Sequence, residues 1–183
     1  FTWTFDTLLL GTGVGVNIQR KNINRLPPII KSPIHITRQD DKNASFIVPD
    51  TREGWVELLD KVLTSYFVNG KSFTYSTMLV RSKGTPLKRF GGVAAGPEPL
   101  CDCINLICKV LNTASGRNLT SVEVLDIITI MGQCVSNGAI RRSAIITLGD
   151  HDDIQFLRCK DWKTGNIPNH RAMSNNSIIC NDI

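Results

Sequence analysis

Apolar residues recur along this chain at two spacings, and the alternation between the two predicts the order of its elements. Trp55, Leu59, Val62 and Tyr66, with Val56, Leu63 and Phe67 beside them, fall on one face of a helix. Asp50 is placed to cap the start of that helix, and Asn69-Gly70 ends it. A second helix opens at Pro97-Glu98-Pro99, carries Leu100, Ile104, Ile107 and Leu111 in register, and closes at Ser115-Gly116. Thr120 and Glu123 have the spacing of a capping box for a third helix, Ser121 to Cys134. Val124, Leu125, Ile127, Ile128, Ile130 and Met131 make that helix apolar nearly all round, which predicts burial.

Strand-sized apolar runs lie between and after these helices. Phe1 to Leu10 is apolar except for Asp6 and suits helix or strand by pattern alone. Gly11, Gly13 and Gly15 then alternate with Thr12, Val14 and Val16, a turn feeding a buried strand. A dinucleotide fingerprint is excluded, since it needs a helix opening at the glycines and Asn17 to Asn22 has no amphipathic pattern. Close backbone packing within a sheet accounts for the glycines instead. Residues 22–43 are polar, contain Pro27, Pro28 and Pro33, and read as loop with short extended pieces. Ser45 to Pro49, Phe73 to Arg81, Ser143 to Leu148 and Ser177 to Cys180 read as strands. Ser82 to Pro86 reads as a turn and Asp150 to Lys160 as a short capped helix. Helices and strands alternate without internal repeat, so the fold class is α/β.

Composition narrows the partners. The 183 residues suffice for one core with a small second lobe. A net charge of +5 favours anionic ligands, and nucleotides satisfy it. Aromatics at 7% and no basic run longer than two residues argue against a nucleic-acid groove. No apolar run reaches the length of a membrane span, and no secretory pattern opens the chain. The expectation is a cytoplasmic protein with no membrane or nucleic-acid partner. Because the chain opens in mid-element, it reads as a fragment of something larger. The six cysteines form no C-x-x-C pair, and His35, His151 and His170 are not at ligand spacing to any of them. Six reduced thiols and no metal site follow.

Three places could carry chemistry. Asp50, at a helix start, can act as a cap or accept a sugar hydroxyl, and a carboxylate has lone pairs for both. Arg81, Lys83, Lys88 and Arg89 surround a Gly-Thr-Pro turn that leads into Gly91-Gly92. That cluster is a solvated basic loop or, with its unhindered amides, an oxyanion seat. The stretch Ser136 to Ser143 sets Arg141 and Arg142 at the end of a loop containing Gly138, between a buried helix and an apolar strand. It is a surface turn or a loop that reaches a base or phosphate.

These blocks, with Phe90 to Leu100 and Asp50-Thr51-Arg52-Glu53-Gly54-Trp55, resemble the adenosylcobalamin-dependent (class II) ribonucleoside-triphosphate reductases of the monomeric branch. The likeness runs from Gly11-Thr12-Gly13-Val14-Gly15-Val16-Asn17 to Ser174-Asn175-Asn176-Ser177. It implies part of a ten-stranded α/β barrel with an inserted effector-binding helical segment. Barrel segments would then be 1–21 and 91–183, the insertion 22–90, and the specificity loop 135–143. By the same resemblance Asp50, Arg52, Arg81, Lys88 and Arg89 bind a dNTP effector, Lys88 being the closest match to the phosphate-binding cation. Ser136, Asn137, Gly138, Arg141 and Arg142 form the specificity loop, with Asn137 and Arg141 facing the bases. The family's enzyme uses adenosylcobalamin, ribonucleoside triphosphates and a thioredoxin-like reductant. A long insertion after the Gly-Val-Gly-x-Asn strand stands in for a partner subunit and implies a monomer. Asn-Pro-Cys-x-Glu, the motif of the radical cysteine, does not occur in this chain. No catalytic residue is therefore expected here, and the piece alone should be inactive. The other reading is a stand-alone nucleotide-binding regulatory module; a generic nucleic-acid-binding domain is a third.

Overall fold

The Thr120 capping box forms, and the helix it starts is the axis around which the chain is packed. The Thr120 N–H donates to Glu123 Oε2 at 2.8 Å, and the Glu123 N–H returns to Thr120 Oγ1 at 3.2 Å. Arg117 adds two bonds to the same carboxylate, at 2.6 and 2.8 Å. The computed structural model describes residues 1–87, 92–137 and 144–180. In chain order it contains α1 (Thr2–Leu9), β1 (Val14–Asn17), α2 (Arg20–Ile23), β2 (Ile36–Arg38), β3 (Phe46–Ile47), α3 (Arg52–Thr64) and β4 (Phe73–Ser76). Then come α4 (Glu98–Thr113), α5 (Ser121–Asn137), β5 (Ile145–Asp150), α6 (Ile154–Arg158) and β6 (Ser174–Ile179).

The six strands make two three-stranded parallel sheets, ordered β1-β5-β6 and β2-β4-β3. Parallel pairing with helical crossovers agrees with the α/β class. Val14 pairs with Ile145, and Ile145 with Ser174, so the first sheet joins the two ends of the described chain. Among the described residues the strands form two open sheets and no closed barrel.

One continuous apolar core joins the layers. Phe5 and Leu8 of α1, Leu58, Leu59 and Val62 of α3, and Leu100, Ile104, Ile107 and Leu111 of α4 are wholly buried. So are Leu125, Ile127 and Met131 of α5, as the all-round apolar pattern of that helix requires. The four predicted positions of α4 all face inward because they recur at helical spacing. On α3 the buried stripe is Leu58, Leu59 and Val62, while Trp55 is only partly covered. This helix ends in a wider turn, Ser65–Asn69, closed by the Gly70 N–H on Ser65 O at 2.9 Å. Gly70 has φ of +67°, the left-handed conformation that a glycine adopts at least cost.

Several elements differ from the pattern reading. The Phe1 to Leu10 stretch resolves as a helix over Thr2–Leu9. A single helical turn, α2, occupies 20–23 where no helix is expected, yet it follows the glycine strand and does not open at the glycines. Strand β4 stops at Ser76 because Asp40 takes the next residue: its carboxylate accepts the Thr77 N–H at 2.6 Å and the Thr77 hydroxyl at 3.0 Å. The α3 cap is Thr51, whose Oγ1 accepts the Gly54 N–H at 3.0 Å, and not Asp50. Helix α5 continues three residues past Cys134, to Asn137.

Candidate functional site

Because Thr51 caps α3, the neighbouring Asp50 carboxylate is left for another partner. It accepts a hydrogen bond from Arg81 Nε at 2.7 Å. Both side chains are about a third exposed (39% and 33%), so the pair is open to solvent and to a ligand. Asp50 is delivered by the short strand β3 and the α3 entry, while Arg81 follows the turn that ends β4, where the Val80 N–H meets Thr77 O at 2.9 Å. Two candidates 31 residues apart are thus in direct contact.

Beyond Arg81 the chain folds back on itself. Gly84 N–H donates to Ala94 O, Ala94 N–H to Thr85 O and Leu87 N–H to Gly92 O, at 2.8, 2.8 and 3.1 Å. Pro86 and Val93 form an antiparallel bridge. Lys88, Arg89 and Gly91 lie outside the described residues.

Arg52 starts α3 but turns its guanidinium elsewhere. It donates to Asp6 on α1 and to Glu53, the latter at 2.5 Å. Of the candidates around the helix, α5 holds Ser136 and Asn137 as its last two residues, Asn137 being exposed. The expected loop 135–143 therefore starts inside a helix. Gly138, Arg141 and Arg142 lie outside the described residues. The first described residue after them, Ala144, accepts the Val14 N–H at 2.9 Å.

At Asp50 and Arg81 the groups available are a hydrogen-bond acceptor and an anion-binding guanidinium. Asp50 keeps acceptor capacity for a hydroxyl, and the Arg81 fork has further N–H donors for phosphate oxygens. The α3 N-terminus beside them adds positive dipole character.

Sequence reasoning missed a second polar cluster. Asp126 lies on the buried face of α5 and takes both Arg171 bonds, from Nε at 2.6 Å and Nη2 at 2.8 Å. His170 Nε2 lies 3.0 Å from the same carboxylate, and Arg171 Nη1 also donates to Cys159 O at 3.0 Å. The three side chains are only 12–15% exposed. Burial pushes the Asp126 carboxyl up, but the Arg171 and His170 hydrogen bonds and charges outweigh it and hold it below the usual carboxylate range. The readable signal was Asp126, a carboxylate set among the apolar positions of α5 one turn past its capping Glu123.

A third cluster closes the C-terminal ends of β1 and β5. Asp150 accepts from Gln19 Nε2 at 2.9 Å and from the Arg20 N–H at 2.7 Å, while Arg20 also pairs with Asp152. Among the described residues no three His, Cys, Asp or Glu side chains gather as a metal site. No described helix is long and apolar enough to cross a membrane.

Residues 31–111 match the family described as B12-dependent ribonucleotide reductase, insertion domain. The match takes in the whole β2-β4-β3 sheet, α3 and most of α4. The chain is similar to the adenosylcobalamin-dependent ribonucleoside-triphosphate reductase of Lacticaseibacillus paracasei, 32% identical over 213 residues, covering 99% of this chain and 28% of that protein. It is similar also to a probable adenosylcobalamin-dependent ribonucleoside-triphosphate reductase of Dictyostelium discoideum (35% identical, 98% and 25% covered). A third relative, from Euglena gracilis, bears the same name without the qualifier and is 34% identical, with 98% and 24% covered. The crystal structure of a B12-dependent (class II) ribonucleotide reductase superposes with a TM-score of 0.79 at 26% identity, over 97% of this chain and 28% of that one. The chain spans about a quarter of the length of the relatives it matches.

Proposed function

The chain belongs to the family of adenosylcobalamin-dependent ribonucleoside-triphosphate reductases, and from that premise we propose that it is the allosteric region of such an enzyme. The whole enzyme would reduce ribonucleoside triphosphates to deoxyribonucleotides by a radical mechanism, with electrons from a thioredoxin-like reductant. This region would bind a dNTP effector and pass its identity to the substrate site. The observation that carries the reading is the Asp50–Arg81 contact at the α3 entry, which sets a sugar-hydroxyl acceptor beside a phosphate donor.

In this reading Asp50 takes the effector's sugar hydroxyl, and Arg81, Lys88 and Arg89 hold its triphosphate. Arg52 flanks the seat at the start of the same helix. Ser136, Asn137, Gly138, Arg141 and Arg142 form the specificity loop, with Asn137 and Arg141 toward the bases. The division into barrel segments 1–21 and 91–183 around an insertion 22–90 is part of the same proposal. Support for a ten-stranded barrel comes from the likeness to the class II ribonucleotide reductase structure, with the parallel β1-β5-β6 sheet forming a part of it. A monomer working in the cytoplasm completes the proposal, the inserted segment taking the place of a second subunit.

Adenosylcobalamin would supply the radical that initiates reduction. The Asn-Pro-Cys-x-Glu motif is absent from the chain, and of its six cysteines only Cys180 is exposed. Cys101, Cys103, Cys134 and Cys159 are packed in the core and Cys108 is half-buried. Burial pushes the Cys101, Cys108 and Cys159 thiols up, Cys108 to about 11, and the Cys134 thiol together with burial does the same to Cys103. His170 is engaged by Asp126. The cofactor and the catalytic cysteines are accordingly assigned to the remainder of the reductase, and no step is routed through these residues.

Calorimetry on the full-length protein tests the reading. Lys88→Ala should weaken dNTP binding by about 1.5–3 kcal/mol, the range for a hydrogen bond to a charged group. Unchanged affinity would make Lys88 a solvated lysine and remove the phosphate seat. For the loop, Arg141→Ala should flatten the effector-dependent ranking of the four substrates with dNTP affinity largely kept. The alternative, a regulatory module without catalysis, finds no counterpart in the three relatives described, which are reductases by name.

A further inference from the structure

The last turn of α3, Ser65–Asn69, is out of step with the helix before it. There the Gly70 N–H donates to Ser65 O, five residues back, at 2.9 Å. In an α-helical turn it would go four residues back, to the carbonyl of Tyr66. The wider turn leaves that carbonyl to a partner from outside the helix, and the Ile30 N–H takes it at 2.9 Å. Single wide turns of this kind are rare and are frequent at functional sites.

Ile30 belongs to a strap, residues 26–31, that runs from the end of α3 to the turn between α4 and α5. The Ile29 N–H donates to Arg117 O at 2.9 Å, and Ile29 O accepts the Gly116 N–H at 3.0 Å. Asn118 Nδ2 donates to Leu26 O at 3.0 Å, and Ser115 Oγ to Ile30 O at 3.4 Å. The Ile29 side chain is buried in the core, while Pro27 and Pro28 stiffen the backbone that leads to it. Two glycines admit the strap. Gly70 has φ of +67°, and a Cβ there would lie 3.3 Å from Ile30 Cγ2; Gly116 has φ of +81°, and a Cβ there would lie 3.4 Å from Lys31 Cγ. Tyr66 also donates its hydroxyl to Asn112 Oδ1 on α4 at 2.9 Å. One residue thus carries the strap on its carbonyl and α4 on its side chain.

We infer that the strap selects the register of the last turn of α3 and is a two-state device joining α3 to α4. Closed, the Ile30 N–H holds the Tyr66 carbonyl and the turn stays wide. Released, the Gly70 N–H returns to Tyr66 O and the turn tightens to α-helix. That change of register shifts residues 66–69 about the helix axis and so bears on the Tyr66–Asn112 bond. The device lies at the opposite end of α3 from Asp50 and does not rest on the effector reading.

Crystal structures and hydrogen exchange of full-length variants test it. Ile30→Pro removes the donor to Tyr66 O, and its structure should show the Gly70 N–H on Tyr66 O. Exchange in residues 26–31 and 65–70 should quicken together by about fivefold or more, the scale of one hydrogen bond. Asn118→Ala, which removes only the Leu26 contact, should quicken the same two segments to a lesser degree and leave α5 unchanged. Gly165→Ala is the control, since Gly165 has φ of +89° with nothing within 4 Å of an added Cβ. It should leave both segments as they are. A wide turn that persists in Ile30→Pro overturns the inference. So does faster exchange in 26–31 alone, an equal rise throughout the chain, or the same response in Gly165→Ala. Should Ile30→Pro fail to fold, Asn118→Ala decides by itself: residues 65–70 must quicken with 26–31, and if they do not, the strap is a surface loop.

Discussion

The two sheets of this chain differ in where their charges are buried. In the β1-β5-β6 sheet the strands run four to six residues, and besides the exposed Arg20 contacts with Asp150 and Asp152 the helix packed beside them carries a buried carboxylate held by three bonds. In the β2-β4-β3 sheet the strands are only two to four residues long, and the ion pairs lie at the surface: Arg38 with Glu98 and Asp40, Asp50 with Arg81, Lys61 with Glu57. The cohesion of this second region comes from α3 and α4 packing over it. A buried charge is costly to orphan, while an exposed pair contributes little to stability and can be exchanged for a ligand. The first arrangement suits a fixed frame and the second a surface whose ion pairs can be exchanged.

The largest expected effect breaks the frame. Arg171→Ala leaves Asp126 buried without its principal partner, which should cost about 3–5 kcal/mol. Hydrogen exchange in the full-length protein would localise the loss to α5 and residues 169–173, with α3 little changed. The same carboxylate predicts an acid sensitivity. Its folded-state pKa lies below the ordinary value, so its contribution is fully present above the unfolded pKa near about 4 and is lost as pH falls through the lower, folded one. Acid should therefore loosen α5 from residues 169–173, and Asp126→Asn should remove that acid-dependent part of the loss. A β2-β4-β3 region that opens first in acid, or an Arg171→Ala protein as stable as the parent, would erase the contrast.

Which parts were legible in the sequence depends on how far apart the partners lie. The α4 face and the Thr120–Glu123 box are set by residues three and four apart, and both formed as read. The cap of α3 was misassigned by one residue because Asp50 and Thr51 are both good capping types. Thr51 takes the cap, and Asp50 engages Arg81, 31 positions away. The end of β4 depends likewise on Asp40, 37 positions from Thr77, and no local pattern marks it. Asp126 could be seen as odd in its helix, yet its partners lie 44 and 45 residues further on. At the candidate site the sequence singled out Asp50 and Arg81, and the fold brings these two side chains into contact. It could not foretell that Arg52 would be committed to Asp6, because that pairing is decided by the packing of α1 on α3.

A middle-sized effect sharpens the comparison from the second region. An added Cβ at Gly54 would lie 2.5 Å from Pro49 O and 2.9 Å from Pro49 Cδ, so backbone must move to admit it. Alanine is otherwise the better helix residue by about 0.5–1 kcal/mol. The clash should nevertheless win, with a net loss of about 1–3 kcal/mol. Because Pro49 directly precedes Asp50, the shift should also weaken dNTP binding. Gly149→Ala is the counterpart in the first region, where the Cβ would meet the buried Phe156 ring at 2.4 Å. It should destabilise comparably and leave dNTP affinity alone. Equal effects of both variants on affinity would mean that the two regions do not divide the work as described.

The smallest stability effect is the most telling one for function. Arg81→Ala removes a single bond between two side chains that are each about a third exposed, and such pairs contribute about 0–1 kcal/mol. Water replaces the lost partner at little cost, so the melting temperature should scarcely move. Binding should respond differently. In the proposed complex Arg81 exchanges Asp50 for a phosphate, and the variant loses that contact whether or not Asp50 is freed for the sugar. Affinity for dNTP should fall although stability does not. The reverse pattern, a stability loss on the scale of Arg171→Ala with dNTP binding unaltered, would make Asp50–Arg81 a structural clamp like the one around Asp126. The contrast between frame and site would then disappear at the contact on which the effector reading rests.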